Sequence, residues 1–120
     1  MQKISEAEME IMNIIWNYDS GMTSKDIMEV IPNKQWKITT VLTLISRLID
    51  KGFLKAEKNG RGKIYSSVIS EKEYKKMCSK NFLNEFYEGS AKNFFAALFE
   101  DNEISEKDLE ELKSILERDE

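Results

Sequence analysis

A mainly α-helical chain with one small β-hairpin is the fold class predicted here, on three observations. Apolar residues recur at helical spacing in six segments. One stretch of period-two character, broken by Asn59-Gly60, interrupts the third and fourth of them. Basic charge gathers around that interruption although the 120-residue chain is net acidic at −4. Three helices followed by a basic-tipped hairpin is the order of a winged helix-turn-helix, and the three later helices read as a C-terminal dimerisation segment. The expected division is 1–72 for the winged helix and 73–120 for the helical segment.

The first helix is expected over 5–18. Ser5 with Glu8 has the spacing of a capping box, in which hydroxyl and carboxylate each bond the other residue's amide. Ala7, Ile11, Ile14, Ile15 and Tyr18 share one face, widened by Met12 and Trp16. Asp19-Ser20-Gly21 is a turn signal. Thr23 with Asp26 opens a second helix over 23–31, whose apolar side is Ile27, Met28, Val30 and Ile31, and Pro32 ends it. Trp36 is an expected anchor beneath a polar connection. A third helix, 38–51, has Val41, Leu44, Ile45, Leu48 and Ile49 as its buried stripe and Gly52 as its C-terminal glycine.

Residues 53–58 and 63–69 read as two strands around Asn59-Gly60-Arg61-Gly62, and Asn-Gly is a strong hairpin signal. From Ser70 the helical period returns, running to about Glu88 with Tyr74, Met77, Cys78, Phe82, Phe86 and Tyr87 on its apolar side. Gly89-Ser90 breaks it. Ala91–Phe99 is short and very apolar. Asp101-Asn102-Glu103 is a turn, and Ser105 with Asp108 caps a last helix striped by Leu109, Leu112, Ile115 and Leu116.

Composition narrows the function. The chain has no histidine and one cysteine, which removes the commonest general base and metal ligand and leaves too few soft ligands for zinc. An enzyme would have to work with carboxylates and lysines alone, so a non-enzyme is expected, with no cofactor and no metal. The acidic C-terminal third lacks the spacing of a calcium loop, and Cys78 is a small core residue with no resolving partner. No apolar run approaches the roughly 20 residues that span a bilayer, and Met1-Gln2-Lys3 opens no apolar signal stretch. With a single cysteine this points to the cytoplasm.

Charge distribution points to nucleic acid. Residues 34–65 hold eight basic and two acidic residues, whereas 76–120 hold six and twelve. The expected reading head is the third helix: Thr39, Thr40 and Thr43 reach bases or phosphates, a threonine methyl packs on a thymine methyl, and Arg47 meets guanine or a phosphate. The alternative is a set of threonines decorating a solvated face. Arg61 and Lys63 at the hairpin tip are expected on phosphates, against the alternative of an ordinary charged turn; Tyr65 either joins them or packs on the sheet. A winged helix serving protein interaction is the second function class. Phe82, Phe86, Phe94, Phe95, Leu98 and Phe99, with Leu109, Leu112, Ile115 and Leu116, exceed what three short helices can bury alone, so a two-fold homodimer is expected to cover them.

The segment Ser5-Glu6-Ala7-Glu8-Met9-Glu10-Ile11-Met12-Asn13-Ile14-Ile15-Trp16 resembles the opening of the penicillinase-repressor family of the BlaI/MecI type. Thr40-Val41-Leu42-Thr43-Leu44-Ile45-Ser46-Arg47-Leu48-Ile49-Asp50-Lys51-Gly52-Phe53-Leu54 is close to that family's T-V-x-T-L-x-x-R-L-x-x-K-G-x-L pattern. Ser79-Lys80-Asn81-Phe82 and Leu109 to Leu116 resemble it too. The resemblance implies a homodimeric repressor on a palindromic, double-stranded operator in front of β-lactam resistance genes. It implies release by proteolysis, directed by a membrane sensor-transducer metalloprotease, before a phenylalanine in the fifth helix. Leu98-Phe99 is the matching pair, with leucine where cleaved members usually carry asparagine. The copper-responsive branch carries paired Cys-x-Cys motifs that this chain lacks. Ile38 and Leu42 stand where some members are more basic.

Overall fold

The computed structural model describes residues 3–18 and 20–118. Met1, Gln2 and the Asp19 of the expected turn lie outside the described residues. Helices α1 (Glu6–Trp16), α2 (Ser24–Val30) and α3 (Ile38–Asp50) precede strands β1 (Leu54–Asn59) and β2 (Gly62–Ser67), and helices α4 (Glu71–Tyr87), α5 (Ala91–Glu100) and α6 (Glu106–Arg118) follow. The chain is thus mainly α with one antiparallel two-stranded sheet. It divides into two compact units, Met1–Tyr74 and Lys75–Glu120.

Local chemistry starts and stops these elements where the sequence says it should. Ser5 and Glu8 close a reciprocal capping box at α1, and Thr23 and Asp26 do the same at α2. Ser90 caps α5 and the Ser105 hydroxyl accepts from the Asp108 amide at α6. The end of α3 is a Schellman closure: Gly52 takes φ +87°, its amide bonds Ile49 O, and the Phe53 amide reaches back to Leu48 O. Phe53 and Leu48, at the two positions this motif commonly brings into apolar contact, are both fully buried. Phe53 therefore closes the helix and does not open the strand.

The first unit holds the core. Ile11, Met12 and Ile15 of α1, Ile27 and Ile31, and Val41, Leu44, Ile45 and Leu48 of α3 are buried, with Phe53, Leu54 and Tyr65 beneath them. Of the apolar residues expected on these three helix faces, Ala7, Ile14, Trp16, Met28 and Ile49 are half-buried and two are exposed. Tyr18 is exposed because α1 ends at Trp16 with Asn17 as its cap, so residue 18 no longer follows the helical period. Val30 is exposed because Ile27 and Ile31, one turn apart, take the buried side of α2. Tyr65 packs on the sheet and also pairs with Met22, amide to carbonyl in both directions, at 3.0 and 2.7 Å.

Trp16 and Tyr74 pack at the base of the hairpin. The Trp16 indole donates to Ile69 O at 2.9 Å and to Ser67 Oγ at 3.1 Å. Tyr74 lies tilted against Trp16 and meets Phe53 edge-on, with ring centroids 5.7 and 5.5 Å away. Its hydroxyl accepts from the Ile4 amide. The second unit differs: from Lys75 to Glu117 no described residue is buried. Phe82, Phe86, Tyr87, Phe94 and Phe95 form one ring cluster, yet Phe86 remains 62% exposed.

Candidate nucleic-acid interface

Burying Val41, Leu44, Ile45 and Leu48 against α1, α2 and β1 turns the opposite side of α3 outward. That side carries Thr39, Thr40, Thr43, Ser46 and Arg47, all exposed, as the helical period requires. The Thr43 hydroxyl donates to Thr39 O at 2.9 Å, so it keeps acceptor capacity and its methyl group but no free proton. Arg47 makes no ion pair with any described residue.

The N-terminus of α3 differs from those of α1, α2, α5 and α6. Its cap position is Lys37, and no side chain caps it. The Lys37 carbonyl accepts from Thr40 and Val41, which leaves the amides of Ile38 and Thr39 at the helix start beside an exposed lysine. Uncapped amides at the positive end of a helix attract anions such as phosphate.

The hairpin turns on Gly60 and Arg61, because Asn59 and Gly62 are themselves paired. Gly60 takes φ +61°, while Arg61 is not among the positive-φ residues. Positive φ at the first central residue alone is the II′ pattern, whose twist suits a hairpin. Glycine is needed there, and its place makes Asn59 the last strand residue instead of the first turn residue. Lys58 and Lys63 lie directly opposite each other. They share the hairpin face of buried Leu54 and Tyr65, four and two residues down the pleat. Like charges opposed across a ladder are destabilising, and an anion between them relieves that repulsion. Lys58, Arg61 and Lys63 are exposed and make no ion pair with a described residue.

Lys51 is the one basic residue of the middle segment that is not exposed. Its ammonium lies 2.6 Å from Glu8 Oε1 and donates to Lys3 O at 2.9 Å. Burial raises the Glu8 carboxyl, but the Lys51 ammonium and the Ser5 backbone and hydroxyl together hold it below the usual carboxylate range. The capping-box spacing identified Glu8; its second partner was missed.

Among the described residues no helix is long and apolar enough to cross a membrane, and no cluster of acidic or cysteine side chains is placed to hold a metal. The set expected at a dimer contact falls in the second unit. Phe82, Phe86, Phe95, Phe99, Ile115 and Leu116 are exposed, and Phe94, Leu98, Leu109 and Leu112 are half-buried. The Leu98-Phe99 bond lies in the last turn of α5.

A family model described as penicillinase repressor matches residues 4–118. The chain is 36% identical over 115 residues to the penicillinase repressor of Bacillus licheniformis, covering 96% of this chain and 90% of that protein. It is 37% identical over 114 residues to the methicillin resistance regulatory protein MecI of Staphylococcus aureus strain N315, covering 95% and 93%. Among solved structures, it resembles the monomeric form of Bacillus licheniformis BlaI in complex with the blaP half-operator. That likeness has TM-score 0.51 and 35% identity, over 61% of this chain and 89% of the other.

Proposed function

Because the chain belongs to the penicillinase repressor family, we propose that it is a DNA-binding transcriptional repressor that acts as a homodimer on a palindromic operator and controls β-lactam resistance genes. One observation carries the reading. An outward helix face of threonines and an arginine stands with a lysine-arginine hairpin tip on the unit that resembles a repressor solved on half of its operator. Residues 1–72 form the DNA-binding part and 73–120 the dimerisation part.

Thr39, Thr40, Thr43 and Arg47 meet base edges in the major groove, and Arg61 and Lys63 hold the backbone. Phosphate contacts position the protein and make its affinity fall steeply with salt. A monomer of the related protein on a half-operator supports one winged helix per half-site. Half-sites then lie about 10 bp apart, or a multiple of that, so that both heads face one side of the duplex.

Dimerisation is supported by the second unit, in which no described side chain from Lys75 to Glu117 is fully covered. Burying one phenylalanine or leucine yields roughly 1.5–3 kcal/mol, and a two-fold partner offers the same apolar set in return. Release follows proteolysis between Leu98 and Phe99, directed by a membrane sensor-transducer metalloprotease. The near-half exposure of Phe99, at 48%, supports access to that bond. An electrophoretic mobility shift on duplex DNA at low and high salt tests the repressor reading. Retardation that weakens with salt supports it; no retardation even in dilute buffer overturns it.

A further inference from the structure

What the outward face of α3 can recognise rests on the proposed placement of that helix in the major groove. Residues 38–46, Ile-Thr-Thr-Val-Leu-Thr-Leu-Ile-Ser, contain no charged side chain and no amide side chain, inside the most basic region of the chain. The side chains that make bidentate pairs with guanine or adenine are therefore missing from this stretch. Thr43 has spent its hydroxyl proton on Thr39 O. Ile38 and Leu42, one helical turn apart, are 41% and 40% exposed. They lie off the stripe of Val41, Leu44, Ile45 and Leu48 that the core requires. A single exposed leucine on a protein surface needs no explanation. Two large apolar groups at i and i+4, flanking the threonines of a groove-facing helix, present one continuous apolar strip.

The apolar group that a base pair displays in the major groove is the C5 methyl of thymine. We propose that Ile38 and Leu42 read thymine methyl groups in each half-site, with the Thr43 methyl beside them, so that the operator is chosen in part by apolar contact.

Replacing thymine by uracil removes the methyl and keeps the Watson–Crick edge, which makes the test direct. Duplexes are selected from a random-sequence pool with the full-length protein, then remade enzymatically with deoxyuridine in place of thymidine. Expected is a loss of about fourfold in affinity for each contacted methyl, the equivalent of one buried methyl group. Leu42→Ala and Ile38→Ala, both at exposed positions, should each shrink the uracil penalty, and the double variant should bring the two forms of the duplex close to equal affinity. Equal affinity of the unaltered protein for both forms would overturn the proposal and leave the repressor reading standing. So would a uracil penalty that persists undiminished in both alanine variants. Failure to enrich any duplex from the pool, even at low salt, would overturn both.

Discussion

Glu8 Oε1 lies 2.6 Å from Lys51 Nζ, with the carboxylate side chain only 1% exposed and the lysine 21% exposed. The pair ties the first turn of α1 to the residue that caps α3, and the Ser5 amide donates to the same carboxylate oxygen at 2.8 Å. Removing one partner of a buried pair leaves the other charge without compensation. Lys51→Met should therefore destabilise the first unit by about 3 kcal/mol, read as a lower urea midpoint with an unchanged m-value. Because the Glu8 carboxyl is held low in the fold, its contribution is present above the ordinary carboxylate range. It is lost as pH falls through the lowered native value. Glu8→Gln should flatten the acid limb of stability against pH.

Gly21 has φ +83°, and a Cβ there would come 2.5 Å from Ile64 Cγ2 and 3.3 Å from Tyr65 O. It leads directly into the Met22–Tyr65 pairing that fixes the outer edge of β2. Gly21→Ala should cost about 2 kcal/mol or more, from a strained backbone and a clash together. Ile64→Ala in the same chain should recover the clash and leave the backbone cost, a separation that a double-mutant cycle measures.

At the hairpin tip, Arg61→Ala should weaken binding to all duplex sequences to a similar degree. It should also lower the slope of log affinity against log salt by about 1. Lys63→Ala should behave alike. An unchanged slope would take the altered residue out of the phosphate contacts.

Arg47 makes a different prediction from Arg61. If it meets guanine, Arg47→Ala relaxes preference at one position of each half-site and costs about 1–3 kcal/mol on the preferred sequence. A competition assay over single-base variants of a selected site reads this. A loss spread evenly over all variants would place Arg47 on the backbone.

Phe86, 62% exposed within the ring cluster, is the position at which to break a dimer without disturbing a packed interior. Phe86→Asp should halve the mass seen in sedimentation. It should also lower affinity for a two-half-site duplex by about 100-fold or more, while leaving single half-site binding close to unchanged. Helical content should be retained.

Much of this fold was legible because its punctuation is local. Ser5 with Glu8, Thr23 with Asp26, Pro32, Gly52 and Asn59-Gly60 each act within a few residues, and the structure places an element boundary at each. The burial of Val41, Leu44, Ile45 and Leu48 follows from spacing alone. What escaped is what spacing cannot carry. Glu8 and Lys51 are 43 residues apart, and the capping box already accounted for Glu8. Tyr74 falls in the first unit and meets Trp16 and Phe53, which are far from it in sequence. The turn sits one residue later than Asn-Gly suggests, since Gly60 can supply the first positive φ where asparagine would otherwise be needed. On the reading face, the polar set Thr39, Thr40, Thr43 and Arg47 is exposed as its spacing implies. Exposure of Ile38 and Leu42 ran against their hydropathy and emerges once the buried stripe is fixed.

The hairpin register restricts where this wing can change length. Leu54 anchors one strand and Tyr65 the other, and Lys58 and Lys63 keep their face only by an even count of residues from those anchors. Extra residues between Gly60 and Arg61 would enlarge the loop and leave both lysines where they are. One extra residue between Ile64 and Tyr65 would rotate Lys63 to the far side and set Ile64 in its place. Insertions and deletions should be tolerated at the tip and selected against within the two strands.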